Sequence, residues 1–129
     1  MSSGYVLDHT AVRALAHGNI YMAARVFRSV QVVQPLYVPA TAFAQGLADS
    51  TLTEVGQQLH DALSAPCFIF RPLDEASCWA AAQIAHERAT DIATGHTAHL
   101  ALGSGLPVLT HNPDTYKHID ARIDVEPIN

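Results

Sequence analysis

The strongest constraint on this chain is a rhythm. Very short apolar runs recur along it, and each is followed by a stretch with helical spacing. The runs are Tyr5-Val6-Leu7, Leu36-Tyr37-Val38, Cys67-Phe68-Ile69-Phe70 and Pro107-Val108-Leu109-Thr110, with Ile123-Asp124-Val125 as a further edge strand. Apolar runs of this length, bounded by turn residues, read as strands buried on both faces. Strands of that kind, alternating with helices, predict a mostly parallel sheet covered on both sides.

The helices between them carry their own punctuation. Asp8, His9 and Thr10 offer N-cap chemistry for a helix through Ala16, closed by Gly18. Asn19 caps a second helix from Ile20 to about Val33, with Ile20, Ala23, Ala24, Phe27 and Val30 on one apolar face; Pro35 ends it. Pro39 is expected in the first turn of a helix holding Ala42, Phe43, Gln45 and Leu47. Thr51 and Glu54 have capping-box spacing for another helix, which ends before Pro66. Asp74 opens a helix to about Arg88, with Cys78, Trp79, Ala82 and Ile84 as its apolar positions. Thr90 and Asp91 open one ending at Gly103 or Gly105, and Pro113 to His118 forms a helical turn.

Composition narrows the class. The 129 residues fit one domain spanning 1–129; at 49% hydrophobic and 15% charged they are too apolar for disorder. A net charge of −5 argues against non-specific attraction to nucleic acid or an anionic membrane, so such a partner needs a local patch or bound cations. Cys67 and Cys78 form no C-x-x-C pair and are expected as buried thiols. No signal peptide and no membrane-length apolar run is visible, which predicts a cytoplasmic protein.

The acids fall where chemistry is expected. In open α/β sheets, sites form beyond the carboxyl ends of the strands. Asp8 directly follows the first strand, Thr110-His111-Asn112-Pro113-Asp114 follows the fourth, and Asp91 begins a helix that should pack nearby. Oxygen-rich clusters of this sort suit a hard divalent cation.

Four segments in this order resemble the PIN-domain family, the bacterial toxin-type members above all. They are Tyr5-Val6-Leu7-Asp8; Val38-Pro39-Ala40 followed by Gln45; Asp91-Ile92-Ala93-Thr94-Gly95-His96; and Leu106-Pro107-Val108-Leu109-Thr110-His111-Asn112-Pro113-Asp114-Thr115-Tyr116. The resemblance spans nearly the whole chain. It implies an α/β/α three-layer sandwich with a central sheet of about four to five strands. It also implies an Mg²⁺- or Mn²⁺-dependent ribonuclease acting as the toxin of a toxin–antitoxin pair. Single-stranded RNA, an antitoxin-like protein and a second copy of the chain would be its partners.

Mapped by segment, the family's catalytic acids fall on Asp8, Gln45, Asp91 and Asn112, with Asp114 at a further acidic position. Metal ligation would rest on Asp8, Asp91 and Asp114, and substrate positioning on Thr94, His96, Thr110 and His111. Two of the four positions are therefore amides. At an effective dielectric of ~20, a divalent ion and a carboxylate ~4 Å apart attract by about 8 kcal/mol gross, most of it cancelled by desolvation. Each amide then costs about 1–3 kcal/mol of metal affinity, and also relieves repulsion between clustered carboxylates. The expectation is a degenerate, weak or inactive site; the alternative is a non-catalytic module that binds RNA or a protein.

Other readings fit less well. Asp8 and Asp91 alone would serve as helix caps, and Asn112 before Pro113 is a natural turn residue. A zinc site built on His96, His99 and His111 lacks a tight ligand motif. His9, His17, His60 and His118 are expected at the surface, and Trp79 in the core. A phosphoacceptor receiver domain fails because Phe70 is followed by Arg71-Pro72 rather than an aspartate, and Lys117 lies too far past Thr110.

Overall fold

A computed structural model describes residues 4–50 and 59–129. The elements are β1 (Tyr5–Leu7), α1 (His9–Ala16), α2 (Ile20–Gln31), β2 (Leu36–Pro39), α3 (Ala40–Ala48), β3 (Phe68–Arg71), α4 (Glu75–Arg88), α5 (Ile92–Ser104), β4 (Val108–Thr110), α6 (Pro113–Ile119) and β5 (Val125–Pro127). The Thr51–Glu54 capping box lies outside the described residues.

The five strands form one sheet in the order β3-β2-β1-β4-β5, and every pairing is parallel. β1 is central. Its neighbour β4 comes from the far end of the chain, with Val6 opposite Val108 and Leu7 opposite Leu109. Alternation then feeds two cores. Leu7 and Leu109 pack on one side with Val12, Met22, Leu36 and Val38. Val6 and Val108 pack on the other with Ala98, Ala101, Tyr116 and Ile119. The architecture is the expected α/β/α sandwich.

Close helix packing needs small residues at two points. A Cβ on Gly46 would lie 2.5 Å from Val12 Cγ1, and one on Gly95 would lie 2.5 Å from the Ala81 carbonyl oxygen. Gly46 thus lets α3 press onto α1, and Gly95 lets α5 press onto α4. The caps fall where the side chains predict them. Asp8, Asn19, Asp74 and Asp91 each accept a hydrogen bond from a backbone N–H three residues on. Gly105, at φ 71°, closes α5.

Several expectations need correction. Pro39 ends β2 and stands at the N-cap of α3, not inside its first turn. The most apolar run became the edge strand β3, starting at Phe68, with Ile69 and Phe70 exposed. β5 starts two residues later than the apolar run Ile123-Asp124-Val125 suggests. Trp79 is 75% exposed and Cys78 is exposed; Ala81 is the buried residue of α4. On α2 the apolar positions Ile20, Phe27 and Val30 face outward, while Met22 and Ser29 are buried.

Candidate functional site

The site is built from the carboxyl ends of the two central strands. β1 ends at Leu7, and the next residue, Asp8, is fully buried. Its backbone N–H donates to the Leu109 carbonyl of β4. Its side chain is surrounded by donors. Oδ1 accepts from Thr10 Oγ1 at 2.6 Å and from the Ala11 N–H at 2.9 Å. Oδ2 accepts from Thr110 Oγ1 at 2.6 Å and from the Tyr116 hydroxyl at 3.0 Å. A carboxylate has about four lone-pair directions, and all four are taken.

Thr110, also fully buried, ties the next loop to this centre. While donating to Asp8, its oxygen accepts the Asn112 N–H at 2.8 Å. Thr10 does the same for the His111 N–H at 3.0 Å. Asp8, Thr110 and Asn112 are thus brought together, although the Asn112 side chain is exposed and makes no cap hydrogen bond.

Among the described residues, the remaining predicted positions make no hydrogen bond with Asp8. Gln45 is exposed on α3, and its amide donates to Asp49 Oδ1 at 2.9 Å. Asp91 is exposed and caps α5, accepting the Thr94 N–H at 2.7 Å. Asp114 is exposed in the first turn of α6. Among the described residues, no three acids, histidines or cysteines are gathered closely enough to hold a metal ion. Asp8, Asp91 and Asp114 therefore do not form a ready triad, and a cation at Asp8 would have to displace one of its four donors. The residues do not fit a tightly held metal.

The positioning candidates divide as well. Thr94 and His96 are buried within α5, and His96 Nδ1 pairs with Thr41 Oγ1 at 2.8 Å, linking α5 to α3. Burial, and secondarily the neighbouring His99, hold the His96 pKa below the ordinary imidazole range, against an opposing pull from Asp74. His111 is exposed and lines a cleft of about 620 Å³ with Asn112, His9, Arg13, His17 and Asp49. Of the four mapped acid positions, only Asn112 opens onto this cleft. His17, His60 and His118 are exposed as expected; His9 is half-buried, and its Nδ1 has no partner among the described residues.

Tyr116 joins the site although motif reasoning assigned it no role. It lies on the inner face of α6 with Ile119, and its hydroxyl reaches Asp8. Burial, then the Asp8 charge, pushes the phenol pKa well above its usual value, with Thr94 and Thr97 pulling weakly the other way. The phenol is thus a donor at any physiological pH. A readable signal existed: a tyrosine spaced three residues from a core isoleucine must find a partner for its hydroxyl.

The fold has counterparts among solved structures. The chain resembles VapBC2 from Rickettsia felis, solved bound to a DNA fragment from their promoter. The TM-score is 0.73 at 14% identity, over 98% of this chain and 99% of that one. It resembles FitAcB from Neisseria gonorrhoeae with a TM-score of 0.64 at 22% identity, over 94% and 95% of the two chains. PAE2754 from Pyrobaculum aerophilum gives 0.60 at 19%, over 95% and 88%. The fold is that of the PIN domain. No protein-family model matches the sequence, and no curated protein is significantly similar to it. At these identities the PIN likeness is one of architecture. No helix among the described residues is long and apolar enough to cross a membrane.

Proposed function

We propose that this chain is a PIN-fold protein of the toxin–antitoxin kind, descended from Mg²⁺- or Mn²⁺-dependent ribonucleases and carrying a depleted metal site. One observation carries the reading. At the carboxyl ends of the two central strands, the link Asp8–Thr110–Asn112 joins two of the four mapped catalytic positions with a single charge between them. Gln45 adds a second amide, and Asp91 keeps its charge at the exposed start of α5. An arrangement with two charges in place of four binds a divalent ion weakly, because each lost carboxylate removes a large gross attraction.

A second reading, a non-catalytic module that binds single-stranded RNA or an antitoxin-like protein, is favoured by the saturation of Asp8. Under it, the cleft lined by Arg13, His17 and His111 is the surface an anionic partner would meet. The exposed apolar face of α2 suits a protein partner or a second copy of the chain.

Titration calorimetry with Mn²⁺ tests the depleted-site reading. Wild type is expected to show weak or no binding. The Gln45→Glu/Asn112→Asp variant is expected to gain measurable binding and to lose stability without metal. Tight binding by wild type, together with cleavage of single-stranded RNA that disappears in Asp8→Asn, would overturn the reading.

A further inference from the structure

A carboxylate excluded from water must be stabilised by something. Among the described residues no Lys, Arg or His forms an ion pair with Asp8. Protein donors do the work instead: three hydroxyls and one backbone N–H, two donors to each oxygen. Hydrogen bonds to a charged group contribute more than neutral ones. The start of α1 adds the favourable end of a helix dipole.

The donors also come from far apart. Thr10 and Ala11 are local to α1, Thr110 ends β4, and Tyr116 belongs to α6. The carboxylate therefore stitches the first strand to the last third of the chain. Thr10 and Thr110 are at the same time held by the His111 and Asn112 backbone, so the hydroxyls point at Asp8 with little freedom to turn away.

We propose that Asp8 is a folding anchor rather than a metal ligand, and that the Tyr116 hydroxyl, by taking the last free direction on Oδ2, decides between the two roles. The inference rests on the depleted-site reading and deepens it: the amides removed charge from the rim, and Tyr116 removed the open coordination position at the centre.

The sign of one measurement separates anchor from ligand. A carboxylate awaiting a cation is an uncompensated buried charge, so neutralising it without metal leaves stability unchanged or raises it. An anchor behaves in the opposite way. Asn offers one acceptor oxygen where Asp8 offers two, and its NH₂ faces donors. Thermal melting of Asp8→Asn in excess chelator is therefore expected to fall by about 5–10 °C, the shift that loss of one or two charge-assisted bonds produces in a domain of this size. An unchanged or higher midpoint would overturn the proposal.

A second arm reads Tyr116 directly and decides the matter if Asp8→Asn does not fold. Adding Tyr116→Phe to the Gln45→Glu/Asn112→Asp variant is expected to tighten Mn²⁺ binding about tenfold or more, because the cation no longer displaces the phenol. Equal affinity with and without Tyr116→Phe would refute its gating role. The chelator melt involves no metal. Tight Mn²⁺ binding by wild type would sink the depleted-site reading, whereas a stable Asp8→Asn would sink the anchor alone.

Discussion

Asp8 and Asp91 begin their helices in nearly the same way. Both stand at an N-cap in extended backbone, with φ −87° and ψ −179° at Asp8 and φ −86° and ψ 170° at Asp91. Both accept a backbone N–H three residues on, at 2.9 and 2.7 Å. There the likeness ends. Asp8 is fully buried and takes three hydroxyl donors besides; Asp91 is exposed and keeps only its cap bond among the described residues. The difference comes from partners 102 and 108 residues away in sequence, Thr110 and Tyr116. Local sequence determines that an aspartate caps; the sheet order, by laying β4 against β1, determines whether the cap is also an anchor.

The comparison breaks most visibly at Thr110. Thr110→Val preserves shape and β-branching while removing the hydroxyl, so Asp8 Oδ2 loses its shortest donor and the Asn112 N–H loses its acceptor. Leaving buried charged and polar groups short of partners predicts a loss of about 2–4 kcal/mol, measured by urea unfolding. A loss no larger than that of an ordinary cap would mean that the buried network adds nothing to Asp8 beyond what Asp91 has.

The same contrast explains which parts of the molecule were legible in the sequence. Strands, caps and their order could be read because they depend on neighbours in the chain: Asn19 bonds Met22, Asp74 bonds Ser77, and Gly105 closes α5. The placement of Asp8 at the end of the first strand followed from the same rhythm. Burial was harder to read where it depends on what lies across the fold. Phe68 to Phe70 is the most apolar strand run, yet it sits at the sheet edge; Trp79 has helical apolar spacing, yet α4 buries Ala81 instead. The hydroxyl ring around Asp8 was out of reach for the same reason. Nothing near Tyr116 in sequence indicates that its hydroxyl meets the eighth residue of the chain.

A smaller effect separates buried from exposed in another currency, pH. His96 is buried, and desolvation holds its pKa below the ordinary imidazole range, with His99 adding to the shift. The folded state therefore prefers the neutral ring, and the unfolded chain binds more protons once pH drops toward ~6.5. Stability should be level above that range and decline as pH falls through it. In His96→Gln the decline between pH 7.5 and 5 should be shallower in paired thermal melts. An identical slope in the two proteins would show that the ring charges without leaving its Thr41 contact.

The smallest effect belongs to Asp91. Asp91→Ala removes one cap bond, in which the exposed carboxylate accepts the Thr94 N–H, and no other side-chain hydrogen bond among the described residues. N-cap replacements of this type cost about 1 kcal/mol, and α5 is long enough to keep its remaining turns. The expected loss in urea unfolding is therefore about a third of that for Thr110→Val. A loss of 3 kcal/mol or more would show that Asp91 is bound as deeply into the fold as Asp8. The two aspartates would then be alike in role as well as in backbone geometry.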